Sequence, residues 1–285
     1  VTVGPPFYQR ATAPLFAGLL LLMGIAPLAA WRHSTAKTLG RAIWKPFAAS
    51  ILLLIVLVVN GMRSVGALIG FWLASLVTFV TLYEYARGVM ARHRRTGENL
   101  AVALVHLAGR NRRRYGGYII HLGVVLMALG IIGISVFQTQ TQGTIKQGDS
   151  LTLGKYSITY QSLAEFDTPD GRNVARAVVT VSRDGKVLTE LYPRRDYYYE
   201  SGQPMTIPGV RSTMEDDVYV LLVDWQPISS QGATFKIYDN PLVNWMWLGG
   251  FVFIFGTLVA AWPDKDPEEE VAAIRQRAPA VPSQA

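Results

Sequence analysis

The chain has 285 residues, of which 50% are hydrophobic, and its formal net charge is +7. Its mean hydropathy of +0.23 is too high for an ordinary soluble domain. The apolar residues lie in long blocks, so we predict a membrane protein. The chain has no cysteine, which excludes disulfides, thiolate metal sites, iron–sulfur clusters and a thioether-linked cofactor. The basic residues lie beside the apolar blocks, which favours a topology signal over nucleic-acid binding.

Five apolar runs are candidates for membrane spans, at about residues 13–31, 47–60, 65–83, 118–137 and 243–262. The second run is long enough to cross only if Ile43 and Trp44 are included. None of these runs contains a carboxylate, so a proton relay through the membrane is not indicated. The short apolar stretch at residues 99–109 is predicted to be an interfacial helix.

The basic residues also predict the orientation of the spans. The first and third connections between spans are strongly basic, whereas the second holds only Arg63. The positive-inside rule therefore places the first and third connections in the cytoplasm. The N-terminus and the long segment between the fourth and fifth spans would then lie outside, and the C-terminal tail inside.

The segment at residues 138–241 is polar and rich in turn signals. Alternating apolar residues predict strands at residues 150–153, 157–160, 177–181, 187–191, 218–223 and 234–238. Asp184 and Gly185 predict a hairpin turn between the third and fourth of these strands. Several short strands without helical periodicity indicate a small β-sandwich or a barrel, and the pattern does not distinguish the two. Two further segments, residues 193–199 and 215–219, are candidates for a partner surface or for loops folded onto the sheet.

The candidate functional residue is His121, which lies about two turns inside the fourth apolar run. Ionisable residues at such positions usually face a partner, a cavity or a cofactor. One interpretation is a helix-packing histidine that hydrogen-bonds a neighbouring helix. The other is axial ligation of a haem, since Gly117 and Ala128 on the same helical face would let a flat macrocycle approach.

Other polar residues near this run have alternative interpretations. Arg114 lies two turns before His121, so it can either anchor the topology or bind a haem propionate. His106 is expected at the wet surface, and His33 and His93 in basic loops. No second histidine lies in a predicted span, so bis-histidine ligation needs a ligand from outside this sequence.

Several segments together resemble the CcmF/NrfE family of haem lyases. The most specific is the block from Asn111 to Gly123, which reads NRRRYGGYIIHLG, and the similarity extends over nearly the whole chain to about Asp264. The other matching segments are VGPPFY at residues 3–8, MGIAPL at 23–28, ENL at 98–100, RA at 176–177, LYP at 191–193, DVY at 217–219 and NPLVNWMWLGG at 240–250. The resemblance is to the C-terminal half of the family, so we expect either a piece of a longer protein or a subunit of a split one.

The apolar runs, the basic connections and the strand pattern predict a multi-span α-helical membrane protein with about five transmembrane helices and an inserted periplasmic β-rich domain of sandwich or barrel type. The predicted division is a membrane region at residues 1–137, a periplasmic β-domain at 138–241, a final helix at 242–263 and a disordered cytoplasmic tail at 264–285. The resemblance implies that the membrane is the bacterial inner membrane.

The resemblance also implies a cofactor, haem b, with His121 as an axial ligand to its iron and Gly117 and Arg114 beside it. The second axial ligand is expected from the N-terminal half, which is absent from this sequence. The implied partners are that half, a haem chaperone, a thiol-handling maturation protein and apocytochrome c. The chain would be a non-autonomous part of a holocytochrome c synthase, and no residue in it is predicted to be catalytic.

Two other functions remain open from the sequence. The β-domain can be a docking module for apocytochrome c or a haem chaperone, with the spans as a scaffold. Alternatively, the chain can be a component of a haem transporter. The lack of carboxylates in the predicted spans and of an inverted repeat disfavours transport.

Overall fold

A computed structural model describes residues 4–28, 36–225 and 232–263. Its helices are α1 (Pro5–Ile25), α2 (Ala36–Val59), α3 (Val65–Thr96), α4 (Leu100–Arg110), α5 (Arg112–Phe137) and α6 (Val243–Ala261), and a 3₁₀ turn (Ala26–Leu28) follows α1. All except α4 contain a stretch long and apolar enough to cross a membrane, which makes five candidate spans among the described residues. The predicted disordered tail at residues 264–285 and the end of the first predicted span, residues 29–31, lie outside the described residues.

The third span is longer than the sequence predicted. We expected it to end at residue 83, but α3 continues to Thr96, where Gly97 caps it with a φ of 73°. The helix therefore includes Glu84, which is buried. The prediction that no carboxylate lies within a span is wrong for this helix, because the helical pattern continues past the point where the apolar run stops.

Polar side chains cap the N-termini of α3 and α4 and so fix where these two helices begin. Ser64 accepts a hydrogen bond from the backbone N–H of Ala67 at the start of α3. Asn99 accepts one from Ala101 at the start of α4, so in the α3–α4 turn a Gly cap lies two residues before an Asn cap. The helix predicted at residues 99–109 is thus confirmed as α4, and its interfacial position remains a prediction.

Helix α5 packs against α3 and, over most of its length, against α6. Glycines form the α5–α6 contact: Gly116, Gly123 and Gly130 repeat at seven-residue intervals and are buried against α6. A Cβ built on Gly123 would lie 2.6 Å from the backbone nitrogen of Phe253. This distance leaves no space for a side chain, so the two backbones pack in direct contact.

The segment between α5 and α6 forms two antiparallel sheets. Its strands are β1 (Thr139–Ile145), β2 (Ser150–Leu153), β3 (Tyr156–Thr168), β4 (Arg172–Arg183), β5 (Lys186–Leu191), β6 (Arg194–Tyr198), β7 (Gln203–Ile207), β8 (Gly209–Ser212), β9 (Asp216–Trp225) and β10 (Ala233–Pro241). One sheet has the order β1-β10-β9-β8, and the other has the order β2-β3-β4-β6-β7 with β5 paired to β4. Their inner faces share one core, which includes Tyr156, Val179, Leu222 and Phe235.

This arrangement decides in favour of the β-sandwich, and the predicted fold class of membrane helices with an inserted β-rich domain is confirmed. The strand predicted at residues 150–153 has the same bounds as β2, and the other five predicted strands lie within longer ones. The hairpin turn holds Asp184 at φ 51° and Gly185 at φ 79°. Strands β1, β7 and β8 were not predicted. Residues 194–198, considered as a loop, form strand β6 because they pair with both β4 and β7.

Candidate functional site

A cleft of about 560 Å³ opens beside His121, between α5, α3 and the 3₁₀ turn after α1. It lies within the range of about 300–1,000 Å³ that small-molecule sites occupy. Its lining comes from three parts of the chain: Ala26, Pro27 and Leu28 of the turn, Glu84 and Arg87 of α3, and Arg114, Gly117, Tyr118 and His121 of α5. The structure therefore brings together all three of the predicted site residues, His121, Gly117 and Arg114.

The side chain of His121 has a ring nitrogen that is available to a ligand. Its Nδ1 atom is buried and has no hydrogen-bond partner within the part of the chain that the structure describes. A histidine whose only role is helix packing would be expected to bond a neighbouring helix. The ring of Tyr118 lies beside it, with its centroid 6.5 Å from that of His121.

Gly117 leaves the helix surface open one turn before His121. A Cβ built on it would meet nothing within 4 Å among the described atoms. Its neighbour Gly116 differs completely, because a Cβ there would lie 2.6 Å from the backbone nitrogen of Ala260. Ala128, two turns after His121, packs against a core cluster of α1, α3 and α5 and does not line the cleft.

Arg114 lies in the cleft but is already paired. Its Nη2 donates to Glu84 Oε2 at 2.7 Å, and its Nε donates to the hydroxyl of Tyr118 at 2.9 Å. Glu84 also accepts from Arg87 Nη1 at 3.1 Å. Sequence reasoning missed Glu84 and Arg87, although their i,i+3 spacing at the end of an apolar run is the pattern of a helical ion pair.

Three tyrosines hold α3 and α5 together beside the cleft. The ring centroids of Tyr85, Tyr115 and Tyr118 lie 5.2–5.6 Å apart. The hydroxyl of Tyr85 donates to the carbonyl oxygen of Tyr115 at 2.7 Å. A Cβ on Gly88 would lie 2.5 Å from the hydroxyl of Tyr115, so a glycine at this position lets the tyrosine fit between the helices.

The remaining described histidines lie away from the cleft. His106 bonds the carboxylate of Glu98 at 3.3 Å, and its side chain is 54% exposed. His93 bonds the carbonyl oxygen of Glu98 at 2.6 Å. The double hydrogen bond from Arg92, followed by that from His106, lowers the pKa of Glu98 to about 2. His93 was expected in a loop but lies in the last turn of α3, and His106 lies on α4. Neither lines the cleft, and His33 lies outside the described residues.

A family model described as the CcmF C-terminal beta-sandwich matches residues 136–241. The cytochrome c-type biogenesis protein CcmF of Pseudomonas fluorescens is 26% identical over 262 residues, covering 92% of this chain and 38% of that protein. CcmF of Escherichia coli K12 is 24% identical over 265 residues, with coverages of 91% and 38%. The solved structure of "Cytochrome c Heme Lyase CcmF" matches with a TM-score of 0.74 at 26% identity, covering 91% of this chain and 41% of that one.

The chain thus spans about two fifths of the length of the relatives that it matches. The matching region includes both the membrane helices and the β-sandwich, since it covers nine tenths of the chain. Residues 136–241 thus match the CcmF C-terminal beta-sandwich, and over nine tenths of its length the chain is similar in sequence and in fold to the C-terminal part of the longer CcmF proteins.

Proposed function

We propose that the chain acts in cytochrome c maturation, as the C-terminal part of a haem lyase that holds haem b in the His121 cleft. The observation that carries this proposal is the buried, unpartnered ring nitrogen of His121 beside an open helix face. The names of its relatives, cytochrome c-type biogenesis proteins and a haem lyase, support the same function.

The residues of the cleft fit a haem. A neutral imidazole in an apolar environment is a good axial ligand to haem iron, and no competing hydrogen bond of its Nδ1 is found among the described residues. Gly117 offers a flat approach to the helix, and Arg114 offers a guanidinium for a propionate. When bound, the haem supplies a redox-active iron, and His121 would tune that iron as its axial ligand.

The second axial ligand would come from outside this chain. No other histidine lines the cleft among the described residues. Because the chain spans 38% of the length of its relatives, the missing N-terminal half is the proposed source. The same reasoning makes the chain a non-autonomous part of the synthase, working with a haem chaperone, a thiol-handling protein and apocytochrome c.

The proposed location is the bacterial inner membrane, in contact with lipid. The basic connections favour a cytoplasmic position for the α3–α5 connection and for the C-terminus. Residues 138–241 would then form a periplasmic domain between a membrane region at residues 1–137 and a last helix at residues 242–263.

The direct test replaces His121 with alanine in the full membrane complex. We expect the Soret absorption and the haem-to-protein ratio to fall to the background of the complex, since an axial bond to iron is lost. His106→Ala is the matched control, because that histidine lies on α4, bonds Glu98 and does not line the cleft, and this variant should keep its haem. Unchanged haem content in His121→Ala would contradict the proposal.

A second candidate function is a docking surface on the β-domain. Tyr197 and Tyr199 are 43% and 56% exposed, and their rings touch edge to face with centroids 5.8 Å apart. Exposed aromatic residues of this kind are enriched at interfaces. A photocrosslinker at either position should capture apocytochrome c or the haem chaperone. If neither is captured while haem binding depends on His121, the docking function is contradicted.

A further inference from the structure

We propose that Arg87 and Arg114 form a carboxylate-binding subsite in the His121 cleft, oriented by Glu84. This inference rests on the proposed function, because it names the residues that would recognise the acidic edge of the haem. The supporting observation is the carboxylate of Glu84, which the sequence analysis did not identify. This side chain is 3% exposed, and Arg87 and Arg114 of the same cleft both bind it.

The charges in the cleft do not balance. Two guanidinium groups face a single carboxylate, so the group carries a net charge of +1 from Arg87, Arg114 and Glu84. In the apolar surroundings of a membrane an excess charge is costly, and a ligand of opposite charge would offset it. The excess favours an anionic group over a neutral one.

The arginines also have unused donors. Each guanidinium has five N–H donors. Arg87 uses Nη1 to bind Glu84, while Arg114 uses Nη2 for Glu84 and Nε for Tyr118. Their side chains are 61% and 54% exposed, and both line the cleft. The planar fork of arginine suits a carboxylate, which it can bind through two parallel hydrogen bonds.

Glu84 acts as a positioning residue. It is buried on α3, and its two oxygens hold Arg87 on the same helix and Arg114 on α5. The ring of Tyr118 lies 5.6 Å from the guanidinium carbon of Arg114 and supports it from the side. Arg114 is therefore held before a ligand enters, which reduces the entropy lost on binding.

The subsite and the imidazole are separated along the axis of α5. Arg114 precedes His121 by seven residues, which is about 10 Å along the helix axis. The ligand class that satisfies both ends is a metal macrocycle with carboxylates on one edge. The cleft would thus select haem with free carboxylates over a neutral derivative.

The test compares two probes, haem b and its dimethyl ester, on the haem-depleted full complex. Arg87→Gln should weaken binding of haem b about 10–100-fold, the value of one or more charge-assisted hydrogen bonds. The diester has no carboxylate anions and cannot form charge-assisted hydrogen bonds with Arg87. Its affinity should therefore be the same in Arg87→Gln and in the unchanged protein. Arg94→Gln is the matched control, because Arg94 is an exposed arginine two turns further along α3 that does not line the cleft.

The possible outcomes separate this inference from the proposed function. If His121→Ala abolishes binding of both probes while Arg87→Gln weakens neither, the subsite is overturned and the proposed function stands. Equal losses for both probes in Arg87→Gln would also overturn the subsite, since carboxylates would not be what Arg87 recognises. If haem binding survives His121→Ala, the proposed function itself fails.

Arg87→Lys is a second variant that tests the subsite if Arg87→Gln does not fold. Arg87→Lys keeps the charge but loses the planar fork. A smaller preference for haem b over its diester in this variant supports the subsite, and an unchanged preference overturns it.

Discussion

At the scale of single residues, two adjacent glycines on α5 have opposite environments. Gly116 contacts α6 so closely that a Cβ would lie 2.6 Å from a backbone nitrogen, while Gly117 faces open space in the cleft. The difference arises because consecutive residues of a helix point about 100° apart. The glycine beside His121 is therefore free to accept a side chain without disturbing the fold.

Gly117→Leu tests whether the open face is the binding surface. We expect the protein to fold, because nothing lies within 4 Å of the new Cβ. The side chain would fill part of the cleft, so haem content in the full complex should fall several-fold. The Soret absorbance per protein and the thermal unfolding temperature are the measurements. Full haem content in a folded Gly117→Leu protein would show that the haem lies elsewhere.

A second residue-scale feature is the ion pair that Glu215 forms at the base of the β-domain. Arg183 donates to its carboxylate at 2.8 and 3.2 Å, and Lys155 donates at 2.5 Å. These bonds, with Arg183 first, lower the pKa of Glu215 from 4.5 to about 2. A carboxyl whose pKa is lower in the folded protein stabilises it above the unfolded pKa and loses this contribution as the pH falls.

Glu215→Gln should therefore lower the unfolding temperature at pH 7. The difference from the unchanged protein should shrink between pH 4.5 and about pH 2, because the native carboxyl becomes protonated over this range. Near-ultraviolet circular dichroism of the full chain in detergent measures the unfolding temperatures of the variant and of the unchanged protein at each pH. Glu200→Gln, at an exposed turn residue, is the control and should leave the unfolding temperature at pH 7 unchanged. A difference that is constant down to pH 2 would contradict the assignment.

At the scale of elements, α5 and α6 depend on glycine for their contact. Gly249 fits against α5 so tightly that a Cβ would lie 2.5 Å from the carbonyl oxygen of Gly123. Gly256 is similarly close, since a Cβ there would lie 2.7 Å from the backbone nitrogen of Ile120. Without a strong hydrophobic driving force in lipid, such close packing is a main source of helix association. This interface also fixes the helix that carries His121.

Gly249→Ala should destabilise the helix pair by about 1–3 kcal/mol, the usual cost of overpacking. The adjacent substitution Gly250→Ala is the control, because nothing lies within 4 Å of its Cβ, and it should be neutral or slightly stabilising. Thermal unfolding in detergent measures both variants. Equal unfolding temperatures for the two would contradict close packing at this interface.

At the scale of the whole molecule, the β-domain is joined to the membrane helices by hydrogen bonds as well as by the chain. Asn244 at the start of α6 donates to the carbonyl oxygen of Thr213 at 2.7 Å and to Asp217 Oδ1 at 2.9 Å. Gln138 at the end of α5 donates to Asn240 Oδ1 at 2.5 Å. Burial is the main cause of a raised pKa at Asp217. These bonds fix the root of the domain above α5 and α6.

The side of the membrane on which this domain lies is directly measurable, because the chain has no cysteine. Ser201→Cys places a thiol in an exposed turn of the β-domain, and Thr96→Cys places one at the exposed end of α3. We expect an impermeant maleimide to label Ser201→Cys in intact spheroplasts and Thr96→Cys only after permeabilisation. The positive-inside rule is the physical reason. The cysteine-free chain is the background control, and the reverse pattern would contradict the proposed orientation.

The sequence by itself located the five candidate spans and six of the ten strands among the described residues. Continuous apolar runs predicted the five candidate spans, because a helix crosses the hydrocarbon core of a bilayer only if its apolar run is long enough. Alternation of apolar residues located β2, β3, β4, β5, β9 and β10, and Asp184-Gly185 located a hairpin turn. His121 was found in the same way, as a polar residue that an apolar run does not explain.

Only the tertiary structure decided what surrounds that histidine. Glu84 and Arg114 are thirty positions apart, and their ion pair forms because α3 and α5 pack side by side. Local sequence also cannot tell Gly116, which packs against α6, from Gly117, which faces the cleft. The physical reason is the same for both: hydrophobicity and turn chemistry act within a short window, whereas a cleft depends on how distant helices pack against one another.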